Sequence, residues 1–260
     1  MVLKRHIVIP DTQLKHGVRT SHLVPAARYV AEKEPDHLQL LGDWYDMPSL
    51  SAWDKAGSKS TEGRRVHLDR DAGYKGLELF FGELERLGVK VPTVWVTEGN
   101  HENRLDRWLE SDPRIDGAIN RKTFYGWQDF GIKSAPRGKP RHKDGVTYCH
   151  FFDLNANGHT TGGRNGQPTA AAQVRRVRGS SVAGHRQGYD IARLTHPYAR
   201  HGERETFAVI AGSFYQHHEK YRGPTDGYER HGIVVINELN GKGQGDPMFV
   251  SMRYLMESYA

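Results

Sequence analysis

Two features of the sequence predict an α/β protein: short runs rich in Val, Ile and Leu recur along the chain, and segments of helical periodicity lie between several of them. The apolar runs fall at residues 6–10, 37–41, 91–97, 146–152, 181–183, 207–211 and 233–236, with a further strand expected at 248–254. Near-continuous apolar runs suit strands buried on both faces of a layered protein. Residues 21–33 form the first candidate helix. Leu77, Phe80, Phe81, Leu84 and Leu87 repeat at three- and four-residue steps before Gly88, which supplies a stop. Arg104, Leu105, Trp108 and Leu109 mark a third helix, ended at Asp112-Pro113 because the residue before proline avoids helical backbone. Pro168-Thr169 opens a fourth over residues 170–178, and the last part of the chain reads as richer in strand.

A chain of 260 residues with 37% hydrophobic content can bury one substantial core, so a single domain over 1–260 is expected, with insertions at 47–65 and 114–144. No apolar run reaches membrane-spanning length, and Met1-Val2-Leu3-Lys4-Arg5 leads straight into a strand-like segment without a signal-peptide core, so a soluble, cytoplasmic protein is expected. The one cysteine, Cys149, rules out an internal disulfide framework and reads as a small core residue. The formal charge of +6 makes nucleic acid a plausible partner and says nothing of fold. The first insertion carries Trp53, Lys55, Lys59, Arg64 and Arg65; the second interleaves Phe124, Tyr125, Trp127 and Phe130 with Lys133, Arg137, Lys139, Arg141 and Lys143. Such a mixture can stack bases and hold phosphates, or it can be a solvated loop over a small satellite core.

Five short segments, each closing a predicted strand, carry metal-ligand side chains: Asp11-Thr12-Gln13, Gly42-Asp43-Trp44-Tyr45-Asp46, Gly99-Asn100-His101-Glu102, Cys149-His150 and Gly184-His185-Arg186-Gln187. Carboxylates, amides and imidazoles gathered at the carboxyl ends of strands can hold two divalent cations, an arrangement suited to attack on phosphorus. Asp153 is a weaker extra ligand. His217-His218-Glu219 reads as a surface loop, because neighbours on an extended segment point to opposite sides.

In order and spacing these segments resemble the calcineurin-like metallophosphoesterase superfamily, whose pattern runs Asp-x-His, Gly-Asp-x-x-Asp, Gly-Asn-His-Glu or Asp, an isolated His, and Gly-His-x-His. The resemblance covers roughly residues 6–190, and the compact chain is similar to small microbial or phage-encoded members. It implies a four-layer α/β/β/α sandwich and hydrolysis of a phosphoester through a metal-bound hydroxide. By the same resemblance Asp43 bridges two metals, Asp11 binds the first, and Asn100, His150 and His185 complete the second. His101 corresponds to the catalytic histidine, with Asp46 to orient it; Glu102 is a supporting residue.

The chain departs from the pattern where Gln13 and Gln187 replace two first-site histidines. Asp11, Gln13, Asp43 and Gln187, if both glutamines coordinate through their amide oxygens, make that site all oxygen, which favours manganese, magnesium or calcium over zinc and binds more weakly than imidazole would. Two divalent ions are therefore expected, manganese foremost, with magnesium, iron, nickel or zinc as alternatives and the first site weaker. The arginine of the phosphoprotein phosphatase branch is absent after Asp46. Arg104 or Arg186 can take its place, with Trp53, Lys139 and Arg141 as further substrate contacts. A phosphodiester in nucleic acid or nucleotides is the expected substrate. A phosphomonoesterase and a nucleic-acid-binding protein that has lost catalysis stay open.

Overall fold

The computed structural model describes residues 2–54, 57–115, 117–152, 169–196, 204–218 and 229–260. In chain order the described elements are β1 (Lys4–Ile9), α1 (Leu23–Lys33), β2 (His37–Leu40), α2 (Val66–Arg86), β3 (Val94–Thr97), α3 (Asn103–Ser111), α4 (Arg121–Phe124), β4 (Lys133–Ala135), β5 (Arg141–Lys143), β6 (Val146–Cys149), α5 (Ala170–Val177), β7 (Ser180–Ala183), β8 (Tyr189–His196), β9 (Arg204–Ala211), β10 (Gly232–Leu239), β11 (Asp246–Ser251) and α6 (Met252–Tyr259). The architecture is mixed α/β.

One sheet has the order β11-β10-β1-β2-β3-β4 and the other β5-β6-β7-β9-β8. The runs β1-β2-β3-β4 and β6-β7-β9 are parallel, while β10, β11, β5 and β8 pair antiparallel with their neighbours. Parallel strands deliver all their carboxyl ends to one edge, and there the loops after β1, β2, β3, β6 and β7 meet.

Alternation along the strands sorts the core. Ile7, Ile9, Leu38, Leu40 and Val96 pack with α1, α2 and α6 residues such as Leu23, Val30, Leu77, Phe80 and Leu255. Val8, Val234 and Ile236 point the other way, against Tyr148, Val182, Phe207 and Val209 of the second sheet. Ala170 and Val174 of α5 cover Cys149, Ala183, Ala208 and Ile210 on the far face of that sheet. Each fully buried aliphatic side chain contributes about 1.5–3 kcal/mol, so these clusters dominate the stability.

Two expectations need correction. Residues 248–254 are not one strand: β11 stops at Ser251, whose Oγ accepts from Tyr254 N at 3.2 Å and caps α6, and α6 buries Met252 and Leu255. The capping hydroxyl and the three-residue apolar step override the strand preference of the sequence. The aromatic residues of segment 114–144 are not displayed for stacking. Tyr125 and Trp127 are buried in the helix-side core, Phe124 and Phe130 pack against it, and the Trp127 indole donates to Glu98 at 3.2 Å. Lys133, Arg137 and Lys139 of that segment are exposed, and part of it forms the edge strands β4 and β5. No helix among the described residues is long and apolar enough to cross a membrane.

Candidate metal centre

The structure brings the ligand-type side chains of the five segments to the shared carboxyl edge. Asp43, His150 and His185 each offer an atom, and these atoms lie within 4.8 Å of one another. His150 Nδ1 is 2.7 Å from the Leu41 carbonyl, which can only accept, so this nitrogen carries the hydrogen. Its Nε2 is thereby left to face Asn100 Oδ1 at 3.0 Å and Asp43 Oδ2 at 3.2 Å. A metal-binding histidine commonly has its other nitrogen tied to a carbonyl in this way.

Asp11 lies beside this group. Its Oδ1 accepts from His185 N at 2.9 Å and is 3.9 Å from His150 Nδ1. Asp11 Oδ2 and both amide atoms of Gln13 are buried without a hydrogen-bond partner among the described residues. A buried polar atom left unpaired costs about 1–3 kcal/mol, and a cation held among these oxygens relieves that cost. The donor set therefore fits a divalent ion on the Asp11 side as well as the Asp43 side. Gln187 is also buried nearby in sequence to His185, but its Oε1 already accepts from Tyr215 Oη at 2.8 Å. That hydroxyl competes for the oxygen the first site would use.

The backbone of the basin is built for close approach. Gln13, Asp43, His185 and Gln187 have φ of 47°, 49°, 67° and 57°, the left-handed region that non-glycine residues rarely enter. Hydrogen bonds hold two of these turns: Gln13 N donates to Asp43 O at 2.7 Å, and Asp43 N to Glu102 Oε2 at 2.8 Å. Glu102 also accepts from Tyr45 N at 3.1 Å and Gly99 N at 2.8 Å, so one buried carboxylate organises two of the loops. Glycine is needed at 99 and 184, because a Cβ there would meet the Asp43 carboxylate in one case and Asp11 Oδ1 at 2.6 Å in the other.

His101 lies at the rim with its Nδ1 at 2.7 Å from Asp46 Oδ1 and 3.0 Å from Asp46 O. Both partners accept, so Nδ1 carries the hydrogen and Nε2 faces Asp43 Oδ2 at 3.7 Å and Arg104 Nη2 at 3.3 Å. Arg104 is buried and donates from Nη1 to Asp46 O at 2.7 Å, so it positions the Asp46 and His101 pair instead of lying on a helix surface. Lys15 closes the network with an ion pair to Asp46 at 2.7 Å.

Burial and charge oppose each other throughout. Burial would raise the Asp43 carboxyl, but His101 and His150 hold it well below the usual range. Burial raises Asp11, with the Asp43 charge adding to the effect. Burial would lower His150, yet the Asp43 charge and hydrogen bond push it up to about 9. Burial lowers His185 to about 3. His101 is raised, the carboxylates of Asp43 and Asp46 outweighing burial. The centre between Asp11 and Asp43 thus attracts positive charge.

Other predicted contacts are spread more widely. Arg186 is half-buried in the tight turn after β7, where Gly188 N donates to Arg186 O at 2.7 Å. Trp53 is 88% exposed, on a segment tied back by Arg64 to Pro48 O at 3.0 Å and Asp54 at 2.6 Å. Lys139 is exposed, and Arg141 lies over Trp95 in a separate cavity. His217 stacks on Tyr215 while His218 is exposed. Lys55, Asp153, Pro168 and Glu219 lie outside the described residues. Sequence reasoning missed Lys15, Tyr215 and the placement of Arg137, whose guanidinium lies 4.8 Å from the Phe151 ring, itself packed on His185. None of the three stands in a ligand motif; Tyr215 is placed by the neighbouring Phe214, whose N donates to Asp11 O at 2.8 Å.

No protein-family model matches the chain. It is 30% identical over 128 residues to the Gene 54 protein of Mycobacterium phage L5, a match covering 49% of this chain and 48% of that protein. It is 33% identical over 101 residues to the Gene 54 protein of Mycobacterium phage D29, covering 39% of this chain and 37% of that one. The chain thus spans about half the length of the first of these curated relatives and less of the second, and neither name states an activity. A solved crystal structure aligns over 96% of this chain and 100% of its own at a TM-score of 0.44 and 14% identity, a likeness too slight to carry an argument.

Proposed function

We propose that the chain is a metal-dependent phosphoester hydrolase of the calcineurin-like metallophosphoesterase type, acting on a phosphodiester in nucleic acid or nucleotides. The observation that carries this reading is the convergence of Asp11, Asp43, Asn100, His150 and His185, with buried oxygens of Asp11 and Gln13 left unpaired. The three apolar clusters, one between the sheets and one on the outer face of each, support a four-layer α/β/β/α sandwich.

In this reading Asp43, Asn100, His150 and His185 would hold one divalent ion, and Asp11, Gln13 and Gln187, with Asp43, would hold the other. Bound cations supply charge that polarises phosphoryl oxygens and lowers the pKa of water towards neutrality. Manganese suits the oxygen-rich first site, which is the weaker because its amides are neutral and Gln187 is shared with Tyr215. His101 keeps its Nδ1 hydrogen on Asp46 and presents Nε2 to the substrate. Nε2 accepts from Arg104 Nη2 at 3.3 Å in this arrangement; protonated from solvent, which the carboxylates of Asp43 and Asp46 favour, it passes that proton to the leaving oxygen. Arg104 and Lys15 keep Asp46 in place for that role. Arg186 and the outward cations Arg137 and Lys139 hold phosphate, with Trp53 at the rim; Arg141, over Trp95 in its separate cavity, takes no part in this site. The case for nucleic acid rests on these cations and the charge of +6, now that Tyr125 and Trp127 belong to the core. The phage relatives support a phage-encoded protein working in the host cytoplasm.

Turnover of p-nitrophenyl phosphate and its bis-ester with added manganese tests the reading. The diester is expected to be the better substrate, with His101→Ala lowering kcat by about 100-fold or more while manganese still binds. Faster monoester turnover would move the substrate class to phosphomonoesters. No metal-dependent turnover of either ester would overturn the proposal.

A further inference from the structure

A second polar cavity lies apart from the metal centre, lined by His37, Gln39, Trp95, Pro140, Arg141, His142 and Lys143. It opens at the edge where β3 of one sheet and β5 of the other carry Trp95 and Arg141. Its volume of about 230 Å³ falls below the roughly 300–1,000 Å³ of pockets for drug-sized ligands, so it suits a group of phosphate or sugar-phosphate size.

The lining contains two cations and no carboxylate. Arg141 lies with its guanidinium carbon 4.3 Å from the centre of the Trp95 ring, and Lys133 Nζ approaches the same ring at 5.7 Å. Arg141 Nε is buried and has no hydrogen-bond partner, and no carboxylate pairs with Arg141, among the described residues. The nearest acid in the chain, Asp144, is already shared by Lys4 at 2.7 Å, His6 at 3.0 Å and Lys143 at 3.8 Å. A guanidinium placed over an indole keeps its edge donors directed outwards, and a planar fork of donors matches the oxygens of phosphate. An unpaired, partly desolvated arginine within hydrogen-bonding reach of a cavity is costly unless an anion completes it.

We propose that this cavity is a phosphate-binding site, with Arg141 as its anchor on Trp95 and Lys143 and Lys133 supplying further charge. The inference does not depend on the hydrolase reading, because none of these residues belongs to the metal centre. The phosphate can come from a free nucleotide or from a strand of nucleic acid, and the chemistry at Arg141 is the same for both.

The test uses full-length, chelator-stripped protein, titrated by equilibrium dialysis with inorganic phosphate, adenosine monophosphate and an oligonucleotide with hydroxyl ends. Tryptophan fluorescence of the wild type is compared with that of Trp95→Phe. At least one probe is expected to saturate, to bind Arg141→Gln about tenfold or more weakly, to bind Arg141→Lys between the two, and to produce a fluorescence change absent from Trp95→Phe. Binding is expected to persist in Asp43→Asn. Saturation by the monophosphate points to a free nucleotide, and saturation by the oligonucleotide alone points to a strand. Equal binding by Arg141→Gln and wild type overturns the proposal, as does a lack of saturation by all three probes. Urea midpoints of the variants check folding; should Arg141→Gln unfold, Arg141→Lys and Trp95→Phe carry the comparison.

Discussion

Gly99 shows how tightly single residues are specified at the metal centre. Its missing side chain leaves room for the Asp43 carboxylate, and its N–H is one of three backbone donors gathered by Glu102. Gly99→Ala is expected to displace Asp43 and weaken manganese binding by tenfold or more, while the urea midpoint falls only modestly; calorimetric titration and urea melts separate the two effects. An unchanged affinity would mean that Asp43 does not hold the ion. The ligand-type residues were legible in the sequence because each closes a strand within a short local motif, and parallel strands necessarily bring such ends together. Lys15, Tyr215 and Arg137 were not legible. Their partners Asp46, Gln187 and Phe151 stand far along the chain, and nothing local to a lysine or tyrosine announces such a contact. The left-handed backbone at Gln13, Asp43, His185 and Gln187 was equally hidden, since none of these residue types requires it.

At the scale of elements, strands buried on both faces were readable as apolar runs, which is why β1, β2, β6, β7, β9 and β10 stand where such runs occur. The edge strands β4 and β5 are three residues each and largely polar, and β8 alternates between partly buried and exposed positions, so none carried that signal. Helix α6 does not stand out in the sequence because it follows β11 without a break, Ser251 being both the last residue of the strand and the cap of the helix. Its start depends on one hydroxyl, and Ser251→Ala is expected to cost about 0.5–2 kcal/mol in urea unfolding. A loss within error would show that packing of Met252 and Leu255, and not the cap, fixes where the helix begins. The buried aromatics of segment 114–144 teach a related lesson: aromatic and basic residues interleaved in sequence separate in space, the first inward and the second outward.

For the whole molecule, three buried histidines link stability to pH. Burial lowers His6, His22 and His37 from 6.5 to about 4, so the folded chain keeps them neutral where the unfolded chain takes up protons. Their contribution is fully present above pH 6.5 and is lost as pH falls towards and through about 4. Each proton taken up only by the unfolded chain steepens the loss by about 1.4 kcal/mol per pH unit. Urea midpoints measured from pH 7.5 down to 4.5 are expected to hold to about pH 6.5 and to fall below it, and a flat profile throughout would contradict the buried, neutral assignment. The largest claim about the molecule is that residues remote in sequence form one cation-binding basin, and manganese titration of chelator-stripped protein by calorimetry tests it most directly. The expected result is one tight ion per chain and a second, weaker one, with the tight site abolished in Asp43→Asn. Absence of manganese binding, or binding unchanged in Asp43→Asn, would contradict it.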